Sequence, residues 1–173
     1  MNKLIFVYGA LRSGTTLFRL MLDAHKELSN PGEVDFIFDY LVQDPASDKW
    51  TYDFIGLRLD RVFQSYNLDV LESDDGKDVA VDFVKQFLQR SQGQITLNIH
   101  KNMNKVAAIF PDARVIHIIR DPRDVAWSCI GMGWAALLPC RKAGKTRAFT
   151  AVRESSGESR IITAFYRPSG DYS

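Results

Sequence analysis

The chain has 173 residues, 46% hydrophobic and 12% aromatic, which suffices for one substantial core and matches the usual size of a single domain. Its 22 Lys and Arg balance 21 Asp and Glu to a net charge of +1, so bulk charge gives no reason to expect nucleic acid as a main partner and any anion site is local. Two cysteines, Cys129 and Cys140, are too few for a disulfide framework and lack the paired spacing of a zinc site, so a reducing compartment fits.

Met1-Asn2-Lys3 leads into the apolar run Leu4 to Tyr8, closed by Gly9. That run is far short of a signal-peptide core or a membrane span, so the chain reads as cytoplasmic with no membrane partner. Its continuity predicts a strand buried on both faces of a parallel sheet. After Gly14, Leu17, Leu20, Met21 and Ala24 recur at helical spacing and predict one apolar stripe on a helix running to about His25. Asn30-Pro31-Gly32 is a breaker, after which Val34, Phe36, Ile37, Phe38, Tyr40 and Leu41 suit either a short second helix or an extended segment. Asp44 to Asp48 reads as a loop. Helical patterns follow around Leu57 to Leu71 and from about Asp78 to Arg90, separated by the turn Ser73-Asp74-Asp75-Gly76, which offers an N-cap.

Ile95 to His100 alternates and is rich in β-branched residues, predicting a second strand that ends at Lys101. Val106 to Phe110 suits a crossover helix stopped by Pro111, and Arg114 to Ile119 a third strand. Pro122 is well placed in the first turn of the helix that follows. Strands alternating with helices imply right-handed βαβ units. The readable domain is residues 1–133. Residues 134–173 read as a basic tail expected to be poorly ordered: from Pro139 onward seven Lys or Arg face three acids, and the one apolar run is Ile161 to Tyr166.

The segment Gly9-Ala10-Leu11-Arg12-Ser13-Gly14-Thr15-Thr16 lies between the first strand and the first helix, where an anion site belongs. A helix start has unpaired N–H groups and the positive end of the dipole, two glycines let phosphate oxygens approach, and Ser13, Thr15 and Thr16 add hydroxyl donors. The spacing matches a phosphate-binding P-loop except that Thr15 occupies the lysine position. The fold class is therefore α/β, a P-loop-type three-layer sandwich with a central parallel sheet flanked by helices. Lacking that lysine, the loop argues against an ATP- or GTP-hydrolysing enzyme and suits a single phosphate.

A second candidate anion site is Arg120-Asp121-Pro122-Arg123-Asp124, followed by Ser128 on the helix. Arg120 ends a strand, where open α/β sheets bind ligands, and its fork of donors suits a phosphate. The alternative is a salt-bridge cluster capping the helix.

Together these segments resemble sulfotransferases that use 3′-phosphoadenosine 5′-phosphosulfate. Val7 to Thr16 resembles the loop that binds the 5′-phosphosulfate, and Arg114 to Ser128 the segment whose Arg and Ser bind the 3′-phosphate. Arg12, with Gly14 to His25 after Ser13, is particularly similar to the tyrosylprotein sulfotransferases and their bacterial relatives. The resemblance implies that Arg12, Ser13, Gly14, Thr15, Thr16, Arg120 and Ser128 hold the donor. It further implies that Glu33, in the pair Gly32-Glu33, is the general base, and that Arg12 and Lys101 stabilise the sulfuryl group. No metal is called for, because these side chains supply the positive charge. The acceptor is expected to be a hydroxyl of a small molecule, carbohydrate or peptide. His117, inside an apolar strand, reads as a core residue, and His100 is expected to point away from Lys101 if the strand continues regularly. Two other functions compete: a donor-binding chain without catalysis, and a small P-loop kinase, disfavoured by Thr15.

Overall fold

The computed structural model describes residues 4–91, 93–132 and 161–165, the last as backbone only. Strand β1 (Leu4–Gly9) is buried at every position but Tyr8 because it runs through the middle of the sheet. It pairs in parallel with β5 (Gln94–Ile99) on one side and β6 (Arg114–Ile119) on the other, Phe6 lying opposite both Leu97 and Val115. The two-residue β2 (Leu28–Ser29) extends the sheet beyond β5, and β7 (Ile161–Phe165) extends it beyond β6. The order is β2-β5-β1-β6-β7, parallel throughout.

From β1 the chain moves toward β2 through α1 (Thr15–Asp23). Later it crosses from β5 past β1 to β6 through α6 (Met103–Ile109), and α7 (Pro122–Gly131) follows β6. Right-handed crossovers in opposite directions put α1 on one face of the sheet and α6 on the other, which makes three layers. The layer beside α6 holds the main core. There Leu4 and Phe6 of β1 meet α2 (Phe36–Asp39) and the stripe Val79, Ala80, Phe83, Val84 and Phe87 of α5 (Gly76–Arg90). Phe83 sits at its centre, with ring centroids 5.7–6.2 Å from those of Phe36, Tyr52 and Phe63. Each such ring contributes about 2 kcal/mol through the apolar area it buries.

The opposite layer is polar. Thr96 and Asn98 of β5 are buried beside Ile5 and Val7, and Asn30 serves them both. Its Nδ2 donates to Thr96 Oγ1 at 2.8 Å and to Asn98 Oδ1 at 2.9 Å, while its Oδ1 accepts from the Gly32 N–H at 3.0 Å. Asn98 Nδ2 in turn reaches the Thr15 carbonyl. A buried network of this kind is stabilising only when its members are satisfied.

Two expectations change and one left open is resolved. The stripe on α1 does not enter the core: Leu17, Leu20 and Met21 are each more than half exposed, because the helix rests on β1, β5 and β2 through its other side. The helix expected over 57–71 is two short ones, α3 (Phe54–Leu59) and α4 (Arg61–Gln64). The break falls at Asp60, whose extended backbone and carboxylate, accepting from the Val62 and Phe63 N–H groups, start a new helix. The segment from Val34 resolves into α2 followed by β3 (Leu41–Gln43), which pairs antiparallel with β4 (Trp50–Tyr52). In the basic tail the backbone of Ile161–Phe165 joins the sheet, whereas residues 133–160 and 166–173 lie outside the described residues. No helix among the described residues is long and apolar enough to cross a membrane.

Candidate active site at the carboxyl ends of the strands

The loop after β1 is shaped by its backbone. Ser13 N–H donates to the Ala10 carbonyl at 3.1 Å, and Arg12 and Gly14 adopt left-handed conformations with φ of 68° and 96°. At Gly9 a Cβ would stand 2.8 Å from Ser13 Oγ and 2.9 Å from Thr15 Cγ2, so only glycine lets the loop fold back over the strand end. At Gly14, by contrast, a Cβ would meet nothing within 4 Å, and the approach to the helix start is open. The first helical bond of α1 runs from Phe18 N–H to the Gly14 carbonyl, which leaves the N–H groups of Thr15, Thr16 and Leu17 without intrahelical acceptors. Ser13 is 3% exposed, and its buried Oγ has no hydrogen-bond partner among the described residues. Leaving a buried hydroxyl unmatched costs about 1–3 kcal/mol. A phosphate oxygen at the helix start would supply such a partner, and the residues present fit that group.

The segment after β6 meets this loop directly. Arg12 Nε donates to Ser128 Oγ at 3.0 Å, and Arg120 Nη1 donates to the Arg12 carbonyl at 3.2 Å. Arg12, Arg120 and Ser128 therefore form one cationic, hydroxyl-bearing corner between two strand ends. The helix start is capped as well: Asp121 accepts from the Arg123 N–H, with Pro122 in the first turn, and Arg120 Nε lies 3.8 Å from Asp124 Oδ2. The contacts of the salt-bridge reading are thus present, and Arg12, Arg120 and Ser128 stand together where the anion reading needs them. The Arg123 side chain, with its N–H, holds the Asp121 carboxyl down to about 2.

A third group comes from the chain between β2 and α2 and from the end of β5. Glu33 bridges to Asn98 in parallel fashion, and the Val34 N–H donates to the Asn98 carbonyl at 2.9 Å, which carries Glu33 and Asp35 to the end of β5. Asp35 Oδ1 accepts from the His100 N–H at 2.8 Å and the Lys101 N–H at 3.3 Å, and its Oδ2 lies 2.7 Å from His100 Nδ1. The other ring nitrogen of His100 is 3.3 Å from Thr15 Oγ1 and 3.9 Å from Glu33 Oε1. Burial opposes a charge on His100, but the hydrogen bond to Asp35 and the charges of Asp35 and Glu33 outweigh it and raise its pKa. Lys101 turns elsewhere. Its Nζ pairs with Asp39 Oδ2 at 2.8 Å, and that contact raises its pKa. His117 stacks on Tyr8 at 4.9 Å, and burial lowers its pKa.

The structure therefore brings Arg12, Ser13, Gly14, Thr15, Thr16, Arg120 and Ser128 around one loop, with Glu33 beside it through His100. Lys101 stands at Asp39. Two residues of the site escaped sequence reasoning, Asp35 and His100. The premise for setting His100 aside fails because β5 stops at Ile99, so alternation no longer governs the next two side chains. The signal that could have found them is the pair of acids flanking buried Val34 just after the Pro31-Gly32 break.

Chemically, the arrangement offers backbone and hydroxyl donors for one phosphate, guanidinium groups for a second, and a half-exposed carboxylate at Glu33 to accept a proton. No curated protein matches the chain. The model of the Sulfotransferase family matches residues 5–158, a span that takes in the phosphate loop, Glu33, His100, Lys101 and the segment from Arg120 to Ser128. With so much of its length matched, the chain belongs to the sulfotransferase family.

Proposed function

We propose that the chain transfers a sulfuryl group from 3′-phosphoadenosine 5′-phosphosulfate to the hydroxyl of a small molecule, carbohydrate or peptide, and that it acts in the cytoplasm. The observation that carries this reading is the orphaned Ser13 Oγ, set in a helix-start loop whose Arg12 is tied to both Ser128 and Arg120. Arg12, Ser13, Gly14, Thr15 and Thr16 would hold the 5′-phosphosulfate end and Arg120 with Ser128 the 3′-phosphate. Glu33 takes the proton of the acceptor hydroxyl as its oxygen bonds to sulfur and the bond from sulfur to the phosphate oxygen breaks, leaving the sulfated acceptor and 3′,5′-diphosphoadenosine. Arg12 stabilises the charge that develops on the bridging oxygen, joined by Lys101 once its ammonium leaves Asp39.

Calorimetric titration with 3′,5′-diphosphoadenosine, beside adenosine 5′-monophosphate and ATP with magnesium, tests the donor site; radiolabelled sulfuryl donor with a panel of hydroxyl acceptors tests transfer. Selective binding of the diphosphate, with Arg120→Ala weakening it but not the monophosphate, is the expected result. Equal affinity for both nucleotides overturns the assignment of Arg120. Turnover of ATP would restore the kinase reading. The ion pair between Lys101 and Asp39 favours one second reading, a chain that binds the donor without transferring sulfate. Diphosphate binding with no transfer to any acceptor would select it.

A further inference from the structure

We propose that His100 is a positioning residue whose protonation decides whether the Thr15 hydroxyl can donate to the donor's phosphate. The inference rests on the phosphate-site reading above and deepens it. His100 is not held by chance: its ring nitrogen Nδ1 lies 2.7 Å from Asp35 Oδ2, and the same carboxylate takes the His100 backbone N–H. A carboxylate at that distance requires the proton to be on Nδ1, so Nε2 is the nitrogen whose state varies. Nε2 faces Thr15 Oγ1 at 3.3 Å. With neutral imidazole, Nε2 is an acceptor, and the one hydrogen of the Thr15 hydroxyl is spent on it. With imidazolium, Nε2–H donates to Thr15 Oγ1, and the hydroxyl hydrogen turns free toward a phosphate oxygen at the start of α1.

The charged groups around His100 are Asp35 and Glu33 from the chain before α2 and Lys101 from the end of β5. The two carboxylates outweigh the ammonium, and a bound phosphate adds to them. Thr15 stands where nucleotide-hydrolysing P-loops carry their lysine. His100 thus acts, from just past the end of the neighbouring strand and through a hydroxyl, at the position of the missing lysine.

Affinity for 3′,5′-diphosphoadenosine is to be measured by calorimetry on wild type, His100→Gln and Thr15→Val between about pH 5.5 and 8.5, the range where imidazole titrates. The ligand's own phosphate titration is common to all three proteins and cancels in ratios of affinity. The ratio of wild type to His100→Gln should change about tenfold across the range, the worth of a hydrogen bond to a charged group. Thr15→Val should be as flat as His100→Gln. If Thr15→Val keeps the wild-type pH profile, the hydroxyl is not the intermediary and the inference fails. A measurement on wild type alone guards against misfolded variants: the NMR titration midpoint of the His100 ring should rise by about one pH unit on saturation with diphosphate, the linked counterpart of the tenfold change. An unmoved midpoint overturns the inference. Absence of diphosphate binding at every pH overturns the phosphate-site reading itself, whereas binding with a constant affinity ratio overturns only the role of His100.

Discussion

Arg12 holds a left-handed backbone, φ 68°, in a loop whose other left-handed position is taken by a glycine, Gly14. For a residue with a side chain this costs about 1 kcal/mol, and strain of this sort gathers at functional sites. The side chain explains its retention, since the guanidinium reaches Ser128 while the carbonyl receives Arg120. Arg12→Ala and Arg12→Gly both delete the guanidinium, but only the glycine relieves the backbone. Urea unfolding should therefore find Arg12→Gly more stable than Arg12→Ala by about 1 kcal/mol. Both should lose transfer by about 10²-fold or more, because the charge is needed most in the transition state. Equal stability of the two variants would show that position 12 carries no strain. The residues around this loop were legible because each lies in a local pattern, a strand, a glycine turn and a helix start. His100 and Asp35 were not, since their roles arise only when the end of β5 meets the chain before α2.

At the scale of elements, the clean cases were those in which one period governs a whole segment. β6 is found where its β-branched run predicts, and α5 follows its apolar stripe to Arg90 but starts earlier than Asp78, at Gly76, because Asp75 in the turn caps it. Asp60 defeated the expectation for 57–71 because Leu57, Leu59, Val62 and Phe63 keep a helical rhythm through a residue that ends one helix and caps the next. On α1 the period was right and its direction was not. A moment shows that a helix has an apolar side without saying which side meets the sheet. The two helices should respond oppositely to substitution. Leu20→Lys on the exposed side of α1 should change stability by less than about 0.5 kcal/mol, as at other surface positions. Phe83→Ala on α5, fully buried among Phe36, Tyr52 and Phe63, should cost about 3–5 kcal/mol. Denaturant midpoints for the two variants decide the matter. A large loss at Leu20 would mean that the apolar stripe of α1 is covered in solution.

For the molecule as a whole, parallel βαβ topology was legible from the alternation of elements, but strand order was not. Nothing in local spacing says that β5 inserts between β1 and β2, and that insertion sets the end of β5 beside the phosphate loop. Buried polar residues hold the arrangement. Asn30 links the turn before Glu33 to Thr96 and Asn98 in the middle of the sheet, and reaches the loop from Gly9 to Thr16 only through Asn98, whose Nδ2 bonds the Thr15 carbonyl. Asn30→Ala removes both Nδ2 donations and the acceptor for the Gly32 N–H, leaving Asn98 Oδ1 and that N–H short of partners in a buried layer, at a cost of about 2–3 kcal/mol. Gly32 precedes Glu33, with a φ of 124° that few other residues adopt, so the turn it forms depends on that hydrogen bond. If Glu33 is the base, loosening the turn should lower the rate of transfer about tenfold, since small misplacements of a catalytic group are costly. Donor affinity should stay within about twofold, because the phosphate loop keeps its own hydrogen bonds. Single-turnover rates and diphosphate titrations on the same preparation separate the two effects, and an unchanged rate with reduced stability would show that the base does not depend on this turn.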